Sequence, residues 1–399
     1  MRQIIACAVA LQLALTSIYA LEFYPLGARA LAMGNVGVAL KNQSTAHHYN
    51  PALFAIKDNW DINVRITAGG ELNPLFLQNL EDLESSISNL GSLDPLSLSS
   101  DGLQAINKTI SVIDNINDTG VKVVAQVDTL VNVGGFNIGQ SSALMAGITV
   151  QAPHNLGLAF TQAEQFAKVD LENGDIVQIS ENEYNQISSL EGLTNDLSLS
   201  IYTLNLSEVP VSYGTQLNTK AGDVSIGATA KLIYGTYGNQ TQSIASLTQG
   251  GSPFGLPESS SSTTIGFDAG ILYEPMSDLL IGLVIKNINS PTLSVTNGSE
   301  VPLDLMIRAG ASYHLLVLDI AADMDITTNT TLGGKAVQEL SVGTSFGFNI
   351  LNIKAGLSTN LASEKAEVAV SVGVSLLIFD VAARVDNHDN YQVLAEISF

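Results

Sequence analysis

Apolar and polar residues alternate along most of the C-terminal half of the chain. Between residues 366 and 378, for example, valines at every second position are separated by alanine, serine and glycine. A period of two predicts β-strands with one apolar and one polar face. The pattern predicts fourteen strands, near residues 60–69, 142–151, 155–168, 200–217, 223–235, 263–273, 278–288, 303–314, 317–327, 337–348, 351–361, 366–378, 379–386 and 391–399.

The connections between these strands differ in length in a regular way. The first, third and fifth are long, covering roughly 70–141, 169–199 and 236–262, whereas the alternate connections are short, beginning with residues 152–154. Outer-membrane barrels have short turns on the periplasmic side and long loops on the outside. We therefore predict an all-β fold, a fourteen-stranded antiparallel outer-membrane β-barrel over residues 60–399.

The long insertion at 70–141 has a different pattern, in which apolar residues recur every three or four positions. Three such stripes are Leu72 to Leu90, Leu103 to Ile113, and Val121 to Val131. This spacing predicts an extracellular α-helical insertion. Two interpretations remain open: the helices pack on themselves or in the barrel mouth, or residues 72–130 bind an envelope protein partner.

The N-terminus predicts export. Arg2, an apolar stretch and a small residue at Ala20 have the order of a signal peptide, assigned to residues 1–20. Cys7, the single cysteine, lies within it. We expect the cell outer membrane as the location. The final stretch, with Tyr391, Ile397 and Phe399 on one strand face, resembles the signal that the outer-membrane barrel-assembly machinery recognises.

Residues 21–59 form a segment of small residues before the first predicted strand. We single out Gly27, Gly34 and Gly37 because they make the backbone thin enough to fit inside a pore, and Asn50-Pro51 because proline fixes a turn there. The segment is therefore predicted to be an N-terminal hatch, and these five residues are candidates for a ligand path.

The stretch from Leu26 to Ala55, with Asn50-Pro51-Ala52, resembles the opening of the superfamily that contains the long-chain fatty-acid transporters of Gram-negative outer membranes. Within that group, the chain length and acidic insertion resemble the TraF-like conjugal transfer family. The resemblance implies a fourteen-stranded barrel with a hatch. It suggests a plasmid-transfer component acting through partner or surface contacts or, alternatively, an outer-membrane transporter of fatty acids or other hydrophobic small molecules.

Composition and motifs limit the activities and binding sites that the sequence predicts. The net charge of −22 opposes binding to nucleic acid. The catalytic and phosphate-binding motifs that we sought are not present in the sequence, so we predict no enzymatic activity and no cofactor. Adjacent His47 and His48 favour a polar contact in the hatch over a metal site. Asp319, Asp323 and Asp325 either line the lumen and favour cations or bond to Arg308, Lys354 or Arg384.

Overall fold

The computed structural model describes residues 23–41, 45–56, 61–72, 78–79, 82, 85–86, 112, 122–133, 135–151, 198–243, 259–294, 300–331, 335–348, 350–363 and 366–399. The predicted signal peptide and the strand predicted at 155–168 lie outside these residues. So do the apolar residues of the first two helical stripes, apart from Leu72.

Eighteen strands and three short helices have described bounds, and the described residues 78–79, 82, 85–86 and 112 are also helical. The helices are α1 (Ala28–Ala32), α2 (Ala46–Tyr49) and a 3-10 helix (Pro51–Ile56). The strands are β1 (Asp61–Leu72), β2 (Lys122–Val133), β3 (Phe136–Gln151), β4 (Ser198–Thr219), β5 (Gly222–Ser243), β6 (Ser259–Met276), β7 (Leu279–Lys286), β8 (Thr292–Ser294), β9 (Glu300–Pro302), β10 (Met306–Leu315), β11 (Leu318–Asp325), β12 (Asn329–Thr330), β13 (Ala336–Val337), β14 (Glu339–Phe348), β15 (Leu351–Asn360), β16 (Glu367–Leu376), β17 (Phe379–Asp386) and β18 (Tyr391–Ser398).

Fourteen of these strands close into one antiparallel barrel, in which β1 pairs with β18. The pairs β8–β9 and β12–β13 are small separate hairpins. Burial follows the predicted period of two: on β16, Val368, Val370 and Val372 are exposed on the outside, whereas Ala369 and Ser371 are buried on the inside. The fourteen-stranded barrel is thus confirmed, with an apolar outer face.

One predicted helical stripe is wrong. Residues Val121 to Val131 fall almost entirely in β2, whose outward residues include Val127 and whose inward residues include Gln126 and Asp128. Valine occupies the odd positions 121, 123, 127, 131 and 133, which alternate along a strand, and β-branched residues favour strands. The connection between β1 and β2 therefore spans 73–121 rather than 70–141.

The strand β2 also corrects the first short turn. That turn lies at 134–135, between β2 and β3, rather than at 152–154, because β3 pairs directly with β4. All six connections at this end of the barrel have two residues: 134–135, 220–221, 277–278, 316–317, 349–350 and 377–378. Connections at the other end range from four residues (387–390) to 49 (73–121). The predicted separation of short turns and long loops is confirmed.

Candidate functional site in the barrel interior

The N-terminal segment, residues 23–41 and 45–56, lies inside the barrel. The helix α1 contacts β15 to β18, and the 3-10 helix contacts β4, β5 and β6 across the lumen. Side chains between the two helices, including Met33, Val36 and Val38, are fully buried. Because the segment contacts strands on opposite sides of a closed wall, it fills the lumen at this level.

The wall accommodates the segment through inward glycines on eight strands. These glycines, which we call the glycine belt, are Gly214, Gly227, Gly270, Gly282, Gly310, Gly343, Gly356 and Gly373. A Cβ atom at Gly310 would lie 2.9 Å from the Cβ of Val38, and one at Gly214 would lie 2.7 Å from the amide nitrogen of Ala55. Side chains at the belt would therefore collide with the segment.

The three glycines predicted for the hatch all lie at contacts with the wall. Gly27 and Gly34 have positive φ values of 89° and 72°, which side chains disfavour. The amide of Gly27 donates to Oε1 of Gln126 at 3.0 Å, and the amide of Gly37 donates to Oδ2 of Asp323 at 2.7 Å. Gly27 and Gly37 thus place backbone donors against polar groups of the wall, whereas the amide of Gly34 donates to Leu31 within the segment. Their role in a ligand path stays a prediction.

Asn50 connects two parts of the segment with the wall. Its Nδ2 donates to the carbonyl oxygens of Val38 at 3.0 Å and Ile271 at 3.3 Å, and its Oδ1 accepts from the amide of Ala52 at 3.0 Å. The ring of Pro51 begins the 3-10 helix directly after it. All polar atoms of the Asn50 side chain are therefore used in holding the turn, which explains an amide at a fully buried position.

The predicted assembly residues lie on the outside of the closing strand. Tyr391, Ile397 and Phe399 are exposed, and the last residue pairs with β1 through two backbone hydrogen bonds between Phe399 and Val64, of 2.9 and 3.0 Å. This face belongs to the apolar outer surface. Recognition by assembly machinery stays a prediction.

Arg308 is the central charge of the interior and is fully buried. Its Nε donates to Asp325 at 2.6 Å, and its two terminal nitrogens donate to Glu339 and to the carbonyl oxygen of Asn35, both at 2.9 Å. The guanidinium also lies 4.3 Å from the ring centroid of Phe23. Arg308 therefore binds the wall and the N-terminal segment together.

The three aspartates of the sequence analysis have separate partners. Asp325 pairs with Arg308, which confirms that one of the alternatives holds for this residue. Oδ2 of Asp323 accepts from the amides of both Gly37 and Val38, at 2.7 and 3.0 Å. Asp319 lies 2.6 Å from Nδ1 of the exposed His314. Each aspartate therefore makes structural contacts at a different place in the protein.

The two adjacent histidines contact different groups. Nε2 of His48 lies 3.1 Å from the carbonyl oxygen of Tyr24, and its Nδ1 lies 3.1 Å from Nζ of Lys286. Since the lysine ammonium can only donate, Nδ1 accepts and the neutral ring carries its proton on Nε2. His47 instead lies 3.5 Å from Asp128. The described residues contain no cluster of three metal-ligating groups.

Burial disfavours the charged form of both histidines. It lowers the pKa of His48 well below the usual 6.5, and the positive charge of Lys286 lowers it further. Burial also lowers the pKa of His47, against the opposing effect of Asp128. Both rings are therefore neutral at neutral pH, as the contact between His48 and Lys286 requires.

A cavity of about 20 Å³, enough for about one water molecule, lies beside His48. It is lined by Tyr24, Lys286, Lys231 and Glu208, among others. Nζ of Lys231 lies 3.2 Å from both Glu208 and Asp268. These lysines and acids are not among the predicted site residues, although isolated charges at inward positions of apolar strands are a signal in the sequence that points to them.

An apolar cluster lies on the long-loop side of the glycine belt. It joins the inward faces of β4 and β5 to the β8–β9 hairpin, and we call it the hairpin cluster. Its members are Leu204, Leu206, Ile233, Tyr237, Leu293, Val301 and Leu303. Leu206 and Leu303 also line the small cavity, so the cluster and the buried charges are in direct contact.

The fold is similar to solved bacterial channels. CymD, a monoaromatic hydrocarbon channel, matches with a TM-score of 0.53 at 13% identity over 95% of this chain and 98% of that chain. The Pseudomonas putida toluene transporter TodX gives 0.47 at 13% identity over 96% and 99%, and a Pseudomonas aeruginosa FadL homologue gives 0.49 at 10% over 93% and 97%. At this identity the likeness to CymD shows a shared fold.

No helix among the described residues has both the length and the apolar character needed to span a membrane. No curated protein sequence matches the chain. A family model, however, described as "F plasmid transfer operon, TraF, protein", matches residues 47–334. This match runs from the N-terminal segment through most of the barrel and covers more than half of the sequence. The chain therefore belongs to the TraF family.

Proposed function

We propose that the protein is an outer-membrane barrel that serves a conjugative transfer system through contacts of its long loops with an envelope protein. The observation that carries this proposal is the filled lumen: the N-terminal segment contacts the wall on opposite sides, and the cavity beside it holds only about one water. A barrel closed in this way acts through its surfaces rather than as an open pore, with the N-terminal segment as its hatch.

The location is supported by the outer face and by the connections. Apolar side chains are exposed around the barrel, as lipid contact requires, and short turns alternate with long loops. In an outer membrane the long loops face the cell surface. The family description, which names a plasmid transfer operon, supports the role in transfer.

The experiment replaces residues 75–119 with a short glycine-serine linker. These boundaries keep β1 and β2 intact, whereas a deletion of 72–130 would remove most of a barrel strand. We expect the variant to fold, as shown by heat-dependent migration on a gel, and plasmid transfer frequency to fall at least tenfold.

A matched control replaces residues 246–256, in the connection between β5 and β6, with the same linker. Transfer should stay near the wild-type frequency in this control. Normal transfer by the assembled 75–119 variant would contradict partner binding through that loop.

A second candidate function, passage of hydrophobic small molecules, is favoured by the hairpin cluster. An apolar surface inside the lumen lies next to a cavity, and the structurally similar CymD is a monoaromatic hydrocarbon channel. The test is toluene uptake into vesicles that contain the protein. If the cluster forms the path, Leu206→Asn should lower uptake several-fold, whereas Val209→Asn, on the outside of the same strand, should not. Equal uptake by both variants and wild type would contradict this candidate.

A further inference from the structure

Five of the six turns at the short-turn end of the barrel fall into two kinds, and the sixth, at 134–135, lies between the exposed Val133 and Phe136. Lys220 and Ala221 connect β4 and β5, and Ser277 and Asp278 connect β6 and β7, so these two turns are polar or small and exposed. Three other turns carry exposed large apolar residues, which are Leu315, Leu316 and Val317; Phe348, Ile350 and Leu351; and Leu376, Leu377, Ile378 and Phe379. We call these three turns, between β10 and β17, the apolar rim.

Two leucines of the apolar rim are unfavourable in both conformation and exposure. Leu316 and Leu377 have φ values of 57° and 55°, in the left-handed region where turns of this kind usually have asparagine or glycine. Their side chains are 86% and 69% exposed, so contacts within the protein do not compensate. A leucine at such a position in water is disfavoured twice, by the backbone and by the hydrophobic effect.

The length of the strands explains where these turns lie. The strands β10, β14, β15 and β16 have 10 residues each. With a rise of about 3.4 Å per residue and a tilt of about 40°, such a strand spans about 26 Å, close to the apolar band of about 25 Å in outer-membrane barrels. Because the strands are about as long as the apolar band is thick, a turn at their end lies at the edge of that band.

The rim is also continuous with the lipid-facing surface. On β14 the exposed Phe346 is followed by Phe348 at the turn, and on β16 the exposed Val374 is followed by Leu376. We infer that the apolar rim is immersed in the periplasmic leaflet, with Leu316 and Leu377 in contact with phospholipid. This inference rests on the proposed outer-membrane location. It leaves the polar turns at 220–221 and 277–278 as the water-exposed part of this end.

The test uses single cysteines labelled with an environment-sensitive fluorophore. In a Cys7→Ser background, which removes the only natural cysteine, the variants are Leu316→Cys, Leu377→Cys, Val372→Cys and Lys220→Cys. The labelled proteins are folded into phosphatidylcholine vesicles, and quenching by doxyl-labelled phospholipid is compared with quenching by aqueous iodide. Val372 reports the outer face of the barrel, and Lys220 reports a polar turn.

We expect labels at 316 and 377 to behave like the label at 372, with at least threefold stronger quenching by lipid than that at 220 and protection from iodide. If 372 is quenched by lipid but 316 and 377 behave like 220, the rim faces water or a protein and the inference is overturned. If 372 is also accessible to iodide and not to lipid, the proposed membrane location itself fails.

Discussion

The barrel has a half made of long strands and a half made of short strands, and the two halves pack against different parts of the interior. Strands β3 to β6 have 16, 22, 22 and 18 residues, whereas β7, β10, β11 and β14 to β18 have 8 to 10. In both halves the glycine belt lies only a few residues from the short turns: Gly214 and Gly227 lie near the 220–221 turn, and Gly343 and Gly356 lie near the 349–350 turn. The extra length is therefore all on the long-loop side.

The additional residues of the long strands contribute to the hairpin cluster and lie beyond the membrane-spanning part of the wall. Leu204 and Tyr237 lie ten residues beyond the belt glycines of β4 and β5, and the β8–β9 hairpin packs on them. The short half has residues only for crossing the membrane and for contacting the N-terminal segment. Both halves therefore contact the segment at the level of the glycine belt, and only the long half builds a second layer above it.

The largest effect on stability is expected from replacing the buried cation of each half, Arg308 in the short half and Lys231 in the long half. Arg308→Met leaves Asp325 without its cation, leaves Glu339 paired with Arg384 alone and removes the bond to Asn35, so we expect a loss of about 3–5 kcal/mol in the free energy of unfolding. Because the segment loses a main anchor, single-channel conductance should also rise. Urea unfolding in vesicles and planar-bilayer recording measure the two effects.

The matched variant in the long half is Lys231→Met, which disrupts ion pairs with Glu208 and Asp268. It should destabilise the wall by a similar amount without opening the lumen, because both carboxylates belong to the wall. Equal conductance of the two variants would show that the halves do not differ in how they hold the segment.

A smaller effect on stability is expected from adding a side chain against the N-terminal segment or against the β8–β9 hairpin. A Cβ at Gly343 would collide with Met33 of the segment, whereas one at Gly235 would collide with Leu293 of the hairpin. Overpacking costs about 1–3 kcal/mol, so Gly343→Val and Gly235→Val should have similar unfolding midpoints. Only Gly343→Val should raise conductance. Pore opening by Gly235→Val would mean that the hairpin also closes the lumen.

The smallest effect concerns pH, through His48. Its pKa is lowered by burial and then by Lys286, so the unfolded chain binds a proton more readily than the folded chain. The resulting stability is complete above about pH 6.5, the ordinary histidine value, and is lost as the pH falls below it. Docking of the segment should therefore weaken between pH 7.5 and 5, measured as more frequent channel opening.

His48→Gln provides the control for this pH effect. Glutamine can accept from Lys286 and donate to the carbonyl of Tyr24 but does not titrate. The variant should show a smaller difference between pH 7.5 and 5. His47, whose pKa is also lowered by burial, should contribute to what remains. An unchanged pH dependence in the variant would exclude His48 as its source.

Much of the barrel could be predicted because strand patterning is local. Alternation along β14 to β18 gave nearly correct bounds, and the loop lengths gave the orientation of the strands. The strand β2 was missed because Val121, Val124, Val127 and Val131 satisfy helical spacing. Val121, Val127 and Val131 also lie at odd positions, as alternation along a strand requires, so only Val124 separates the two patterns.

The interior was harder to predict because it depends on contacts between distant residues. The small residues of the N-terminal segment could be recognised, but Arg308 meets Asn35 across 273 positions, and Lys286 meets His48 across 238. Such pairs follow from the registers of the strands rather than from any local motif. The apolar rim, in contrast, is visible in the sequence once the turns are placed.

The pairing of β1 with β18 places the seam of the barrel against the N-terminal segment. The amide of Ala28 donates to Oε2 of Glu396 at 2.9 Å, and Glu396 lies on β18, 368 positions further along the chain. The contacts of the first part of the segment are therefore complete only when β18 is paired with β1. We expect closure of the seam and docking of the first part of the segment to depend on each other.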